Sequence, residues 1–248
     1  MYVTPVSFTP APAVTQAPNR VEELNDSYQD AMSDLMQRGA SNDYMQTLIG
    51  NQEQFVGLLS QAEQDGGDAK AFIRNLGAED RAVLQKVHSL GSAITDSDID
   101  AMSDEGAANL LRMRGDGQDS NHDGLTDRGT GHTFKFPDSN TPSSVAAAWN
   151  TTMEGLSPKD RMSAEGMLLI ELSTANINID ENGKVNRAEP GDIDWVNPFN
   201  SHFSYQDWAQ GQLDYLEAFK DSMSTEQYET GKHFSSAFLA NLQAEGAA

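Results

Sequence analysis

The segment MLLIELSTANINIDENGKVNRAE, residues 167–189, joins an apolar run to a polar loop and so indicates the kind of fold to expect. Its first half is rich in apolar residues and has neither glycine nor proline, which favours a helix. Its second half alternates oxygen-bearing residues and contains Gly183, where the chain must turn. The sequence therefore predicts a helix from Pro158 to about residue 177 that enters a structured loop directly.

The loop at residues 178–189 has oxygen ligands at the spacing that calcium requires. A calcium ion takes about six to eight oxygens, and one known loop supplies them from positions 1, 3, 5, 7, 9 and 12, with glycine at 6. The residues in these positions are Asn178, Asp180, Asn182, Lys184 through its carbonyl, Asn186 and Glu189. Only Asp180 and Glu189 carry charge, so we expect weaker binding than in a loop with four acids. The alternative is an Asn-Gly turn that needs no metal.

A second stretch, DSNHDGLTD at residues 119–127, has the same spacing. The candidate ligands are Asp119, Asn121, Asp123, Leu125 through its carbonyl, and Asp127. Position 12 is Thr130, so the closing acid is missing, and the surrounding glycines disfavour flanking helices. From the sequence we therefore expect the loop at residues 178–189 to be the stronger site. A solvated acidic turn is the alternative for residues 119–127.

Together the two loops resemble the EF-hand and dockerin-like group of calcium proteins. Residues 178–189 resemble the EF-hand loop, and residues 119–127 resemble the DxNxDGxxD loops of dockerins and thrombospondin-type repeats. The resemblance is limited to the loops and implies that Ca²⁺ is the cofactor, held by the side-chain and carbonyl oxygens named above.

Charge limits the classes of partner. The chain has 38 acidic and 16 basic residues and a formal net charge of −22. Nucleic-acid affinity comes mainly from Lys and Arg at phosphates, so nucleic acid is not expected as a partner. An anionic membrane surface is disfavoured for the same reason, and no apolar run is long enough to cross a membrane. Calcium suits such a chain because it offsets repulsion where acids cluster.

The periodicity of apolar residues predicts a mainly α fold, bundle-like, with EF-hand-like loops and minimal β structure. Helices are expected at about residues 20–38, 41–63, 69–76, 79–90, 105–113, 143–156, 158–177, 205–222 and 225–244, with a short one opened by Thr95 and Asp98. A short strand is expected within residues 132–136. We divide the chain into an arm at 1–18, a helical region at 19–114 and a helical region with both loops at 115–248. Whether the two regions share one core is left open.

The first 18 residues contain Pro5, Pro10, Pro12 and Pro18, which predicts an extended, disordered arm. Such arms resemble the uncleaved leaders of substrates exported through type III or flagellar machines; a plain disordered terminus is the alternative. No basic segment followed by an apolar one is present at the start. We therefore expect a soluble protein that is cytoplasmic, or exported without a cleaved signal peptide.

Catalytic signatures are not found in the sequence. GxSxG, HExxH, GxxxxGK[ST] and GxGxxG do not occur, and the chain has no cysteine. His88 falls on an apolar helix face and is expected at the edge of a core, whereas His132 and His202 could serve acid/base chemistry near the loops. We expect a non-catalytic protein. The less favoured alternative is a calcium-dependent enzyme, or an effector with calcium-triggered self-cleavage, which Gly191-Asp192 after the second loop suggests.

Aromatic residues cluster after the second loop, at Trp195, Phe199, Phe203, Tyr205 and Trp208. We favour a core role for them, and a calcium-controlled patch for a protein partner is the alternative. The expected function is that of a calcium-binding protein whose loops stabilise or regulate a helical interaction domain. A metal-free helical interaction or export-substrate protein is the other possibility.

Overall fold

The computed structural model describes residues 20–37, 39–200 and 202–247, so the predicted arm at residues 1–18 lies outside it. The described residues are mainly α-helical and include two small antiparallel sheets. The helices are α1 (Arg20–Gln37), α2 (Asn42–Asp65), α3 (Ala69–Asn75), α4 (Ala78–Val87), α5 (Asp96–Ala101), α6 (Asp104–Leu110), α7 (Ser143–Glu154), α8 (Pro158–Ala175), α9 (Tyr205–Ala218) and α10 (Thr225–Ala244). None of these helices is long and apolar enough to cross a membrane.

Short polar residues begin most of these helices. Ser41 caps α2, and Gly66 ends it in the left-handed conformation. The predicted capping box of Thr95 and Asp98 opens α5, and a second capping box opens α10. These caps satisfy main-chain N–H groups that a helix leaves unpaired, which explains why the predicted starts of these helices are correct.

Two hydrophobic cores lie on either side of residue 115. The first is built by α1 to α6, and its fully buried side chains include Phe55, Ile73, Leu84, Ile99 and Leu110. His88 is buried beside this core and meets Phe55 edge-on, with 5.6 Å between ring centroids. The sequence placed His88 at the edge of a core, and the structure buries it further, at 4% exposure.

The second core is aromatic. Trp149 on α7 meets Phe136, Phe234 and Phe238 edge-on, with ring centroids 4.7, 5.6 and 5.4 Å away. Four of the five rings that follow the second loop belong to this core: Tyr205 and Trp208 are buried in it, and Phe199 and Phe203 pack against it. The favoured core role of these four rings is confirmed. A partner role for the region from Trp195 to Trp208 stays a prediction.

Each sheet is a two-stranded hairpin at a candidate loop. Strand β1 (Thr126–Arg128) pairs with β2 (Gly131–Thr133), and β3 (Ile177–Ile179) pairs with β4 (Val185–Arg187). The helix predicted to continue to residue 177 ends at Ala175, because Ile177 pairs with Arg187. The strand predicted at 132–136 is displaced to Gly131–Thr133, where it pairs with a strand that the sequence did not indicate.

Helix α6 connects the first core to the first loop. Gly106 lies so close to the turn between β1 and β2 that a Cβ at this position would overlap the carbonyl oxygen of Gly129. The same contact includes a hydrogen bond, in which the N–H of Gly129 donates to the Gly106 carbonyl at 2.9 Å. Glycine at position 106 therefore permits the loop to sit directly against the helix.

Candidate metal centre

The loop at residues 119–127 is buried at both ends and exposed at residues 120–122. Asp119 is 1% exposed and Asp127 is 3% exposed, although both carry carboxylates. The main-chain N–H of Asp119 donates to Ser139 Oγ at 3.0 Å, and its carbonyl accepts from the Asn140 side chain at 2.8 Å. Burial of acids in a loop without a core of its own indicates an organised site rather than a solvated turn.

Side chains at positions 1, 3 and 5 hold the loop in shape by accepting its main-chain N–H groups. Asp119 accepts from Asp123 at 3.1 Å and from Gly124 at 3.0 Å. Asn121 Oδ1 accepts from Asp123 at 2.9 Å, and Asp123 Oδ1 accepts from Leu125 at 2.8 Å. These bonds fix oxygen atoms of Asp119, Asn121 and Asp123 along one compact turn.

Glu105 on α6 is a site residue that sequence reasoning did not identify. Its Oε2 accepts the N–H groups of Ser120 and Asn121 at 2.7 and 3.2 Å, and its Oε1 accepts the N–H of Asp127 at 2.8 Å. It thus brings a carboxylate to a loop whose position 12 has no acid. The sequence signalled only that an acid is missing at position 12, where Thr130 stands. It did not indicate which other residue could supply that carboxylate.

Asp127 is bound on both sides of its carboxylate. Ser103 Oγ donates to Oδ2 at 2.5 Å, and His132 Nδ1 lies 2.6 Å from Oδ1. In a nucleophilic triad, the serine contacts the histidine, and the acid lies behind the histidine. Here the acid lies between Ser103 and His132, which is not the arrangement that activates a serine.

Carboxylates crowd one another around this loop. The pKa of Asp119 is raised mainly by burial and further by the charges of Asp123, Glu105 and Asp138, against the lowering effect of its bond from Gly124. The pKa of Asp123 is likewise raised, first by burial and then by Asp127 and Glu105, against the lowering effect of its bonds from Leu125 and Asn121. The loop therefore holds negative charge at a free-energy cost, which a bound cation would offset.

The C-terminal region closes over the loop. Trp195 Nε1 donates to the carbonyl of Asp123 at 2.8 Å, and the Asn197 side chain donates to the carbonyl of His122 at 3.0 Å. Gly124 has a φ of +85°, and a Cβ there would come within 2.9 Å of Asn197 Oδ1. The positive φ therefore favours glycine at the sixth loop position, and a larger residue would also have to displace the Asn197 side chain.

The loop at residues 178–189 is an exposed hairpin. Asn178 pairs with Asn186 across the strands, and Asp180 Oδ1 accepts the N–H groups of Asn182 and Lys184, both at 2.9 Å. The Lys184 carbonyl accepts the N–H of Asp180 at 3.0 Å. Glu189 lies beyond β4 with its side chain 68% exposed, and Arg187 is 3.8 Å from its carboxylate. The hairpin brings Asp180 and Asn182 together, whereas Glu189 lies past the paired residues.

The two loops thus differ in how far their candidate ligands are gathered. The first brings Asp119, Asn121 and Asp123 into one turn, with Asp127 and Glu105 beside it. Among the described residues, no three His, Asp or Glu side chains form a group that could hold a metal on their own. A calcium ion here would therefore also need neutral oxygens, which Asn121 and the Leu125 carbonyl offer.

Comparison of the chain with protein-family models, with curated proteins and with solved structures found no match.

Proposed function

We propose that the protein binds calcium without being an enzyme, and that the loop at residues 119–127 is its principal site. The observation that carries this proposal is the burial of Asp119 beside Asp123 and Glu105, in a loop with calcium-type spacing. Carboxylates in this setting repel one another, and a divalent cation is the partner that offsets the repulsion.

Calcium would be held by oxygens of Asp119, Asn121, Asp123 and the Leu125 carbonyl, with Asp127 or Glu105 as a further carboxylate. The first three side chains are already positioned by the loop's own N–H groups. Calcium accepts such irregular sets of oxygens, whereas magnesium demands a near-octahedral one. We therefore propose preference for calcium over magnesium.

The proposed effect of the ion is to brace the contact between the two cores. The loop contacts α6 of the first core through Glu105, and it contacts the segment before α9 through Trp195 and Asn197. An ion that binds only the folded state stabilises it by about 2.7 kcal/mol at a hundredfold excess over the dissociation constant. Calcium would thereby regulate how firmly the C-terminal helices are held.

Thermal denaturation with calcium and with EGTA tests this function. We expect a higher Tm in calcium, and limited proteolysis in EGTA should begin within residues 115–142 and 193–203. Asp123→Ala should remove most of the calcium effect, and Asp180→Ala, on the exposed hairpin, should remove less. Identical melting and proteolysis with both additives would refute the proposal.

A metal-free helical interaction protein is the second candidate, and an exposed apolar surface favours it. On α8, Ala164, Leu168 and Leu172 are buried, while Met162 and Ile170 are 69% and 65% exposed. The adjoining hairpin adds the exposed side chains of Ile177, Ile179 and Val185. Exposed apolar patches of this kind mark interaction sites. Because the chain has a net charge of −22, the partner that fits best is a basic amphipathic helix.

A synthetic amphipathic peptide with leucine on one face and lysine on the other tests this second candidate. We expect it to bind the wild-type protein in EGTA and to bind the Met162→Ser/Ile170→Ser variant at least tenfold more weakly. Equal binding to both proteins would show attraction by net charge alone and would contradict a specific surface on α8.

A further inference from the structure

The turn of the exposed hairpin contains an Asn-Gly pair, Asn182 followed by Gly183, and the sequence has no other. Gly183 has a φ of +78°, and its N–H donates to the Asp180 carbonyl at 2.9 Å, so the pair completes a tight turn. An asparagine side chain can be attacked by the main-chain nitrogen of the residue that follows it. Glycine favours this attack because it has no side chain to shield its nitrogen.

The side chain of Asn182 is able to reach that nitrogen. Asn182 is exposed, and its carboxamide has no hydrogen-bond partner within the described part of the chain, where only its main-chain N–H is bonded, to Asp180 Oδ1 at 2.9 Å. Asn176 is the contrasting case, because its side chain is buried and donates to the carbonyls of Leu172 and Val196, both at 2.9 Å. The Asn182 carboxamide can therefore rotate towards Gly183, whereas that of Asn176 is held in place.

The surroundings of the turn leave room for the reaction. A Cβ built on Gly183 would meet no atom within 4 Å, and every residue of β3 and β4 is exposed to solvent. The attack requires the Gly183 N–H to leave the Asp180 carbonyl. Two exposed strands of three residues form a marginal hairpin, so this bond can open locally while both cores stay folded.

We propose that Asn182 is a site of spontaneous deamidation, at which the hairpin gains a carboxylate. The Gly183 nitrogen loses its proton to solvent and bonds to Asn182 Cγ, and the bond from Cγ to Nδ2 breaks as the amide nitrogen leaves as ammonia. Water then opens the resulting five-membered imide ring at one of its two carbonyl carbons. The net change is the uptake of one water molecule and the release of one ammonia molecule, without oxidation or reduction.

The two ways of opening the ring give different products. Opening at Cγ gives aspartate, which adds a negative charge beside Asp180 and Glu181. Opening at the main-chain carbonyl gives isoaspartate, whose main chain is one carbon longer, so the pairing of Ile179 with Val185 no longer matches the turn. The reaction needs only water and the hairpin, and it does not depend on the proposed calcium function.

Peptide mapping by mass spectrometry, after storage of the full chain in mildly alkaline buffer with EGTA, tests the site. Cleavage after lysine releases residues 160–184 as one fragment, in which Asn176 and Asn178 serve as internal controls. We expect this fragment to gain the mass difference between a hydroxyl and an amino group, at Asn182, with isoaspartate among the products. Asn182→Gln is the matched variant and should react at least tenfold more slowly, because glutamine would have to form a six-membered ring.

A free peptide of residues 178–187, stored in the same buffer, sets the time scale. We expect the folded chain to react more slowly than this peptide, because the bond from Gly183 to Asp180 must first open. Conversion of Asn178 as fast as that of Asn182 in the folded chain would overturn the proposal. So would a fragment that is still unmodified when the peptide has been fully converted.

Discussion

The indole N–H of Trp195 donates to the main-chain oxygen of Asp123 at 2.8 Å and so joins two residues that are 72 positions apart. Asp123 is a candidate ligand, and Trp195 lies in the segment that leads to α9. The bond therefore connects the state of the first loop to the C-terminal half of the chain.

Trp195→Phe should uncouple the loop from this segment while keeping most of the aromatic ring. We expect a loss of about 1 kcal/mol in stability, the usual net contribution of such a hydrogen bond. Trp149 and Trp208 are buried in the second core. The change in tryptophan fluorescence on calcium addition should therefore disappear in Trp195→Phe and persist in Trp208→Phe. If the change persists in Trp195→Phe, the hydrogen bond between Trp195 and Asp123 is not its source.

Glu105→Gln should lower the stability of the first loop, although Glu105 lies outside the loop, on α6. The carboxylate accepts three main-chain N–H groups from Ser120, Asn121 and Asp127, and bonds to a charged acceptor contribute about 1.5 to 3 kcal/mol. We expect the Tm in calcium to fall by about 5 °C. Asp104→Asn is the control, because the Asp104 side chain is exposed and, within the described part of the chain, pairs only with Lys70 at 3.4 Å. Equal falls in Tm for the two variants would show that Glu105 is not part of the site.

Gly106→Ala should separate α6 from the turn between β1 and β2. In the helix itself alanine is favoured over glycine, so a local effect alone would raise stability. The overlap of the new Cβ with the Gly129 carbonyl predicts the opposite, a loss of about 2 kcal/mol. Urea denaturation measures the sign, and Gly57→Ala on α2, where nothing lies within 4 Å of the Cβ, should be neutral or stabilising.

Acid should destabilise the first core through His88. Burial, with Arg128 and Arg114 nearby, lowers the pKa of His88 from 6.5 to about 3, while its Nε2 lies 3.0 Å from the Leu110 carbonyl. Between these two pH values the unfolded chain binds the proton and the folded chain does not, so stability falls as pH falls below 6.5. At pH 4.5 the loss from this group is about 3 kcal/mol. His88→Gln should flatten the dependence of Tm on pH in this range; an unchanged slope would assign the effect to other groups.

The sequence predicted the helices well because their signals are local. The Thr95 and Asp98 capping box and Pro158 mark helix starts without reference to any distant residue. Strands β1, β3 and β4 were not predicted because each has three residues and depends on pairing across a hairpin. The end of α8 moved for the same reason, since pairing with Arg187 takes Ile177 out of the helix.

The candidate ligands followed from spacing, but their environment did not. Both loops have the calcium-type pattern, and the closing Glu189 favoured the second loop in the sequence. In the structure the first loop is hydrogen-bonded to Glu105, Trp195 and Asn197, which lie elsewhere in the chain and have no fixed spacing from the loop. Burial by distant residues decides which loop is organised, and this information is not present in a local pattern.

Calorimetric titration of the chelator-treated protein with calcium tests the central claim most directly. We predict saturable binding that magnesium does not reproduce, and at least a tenfold loss of affinity in Asp119→Asn, which keeps the shape of the side chain and removes its charge. Asp80→Asn, on α4 of the first core, should bind as the wild type does. The absence of calcium-dependent heat in the wild type, or equal binding by Asp119→Asn, would contradict the account.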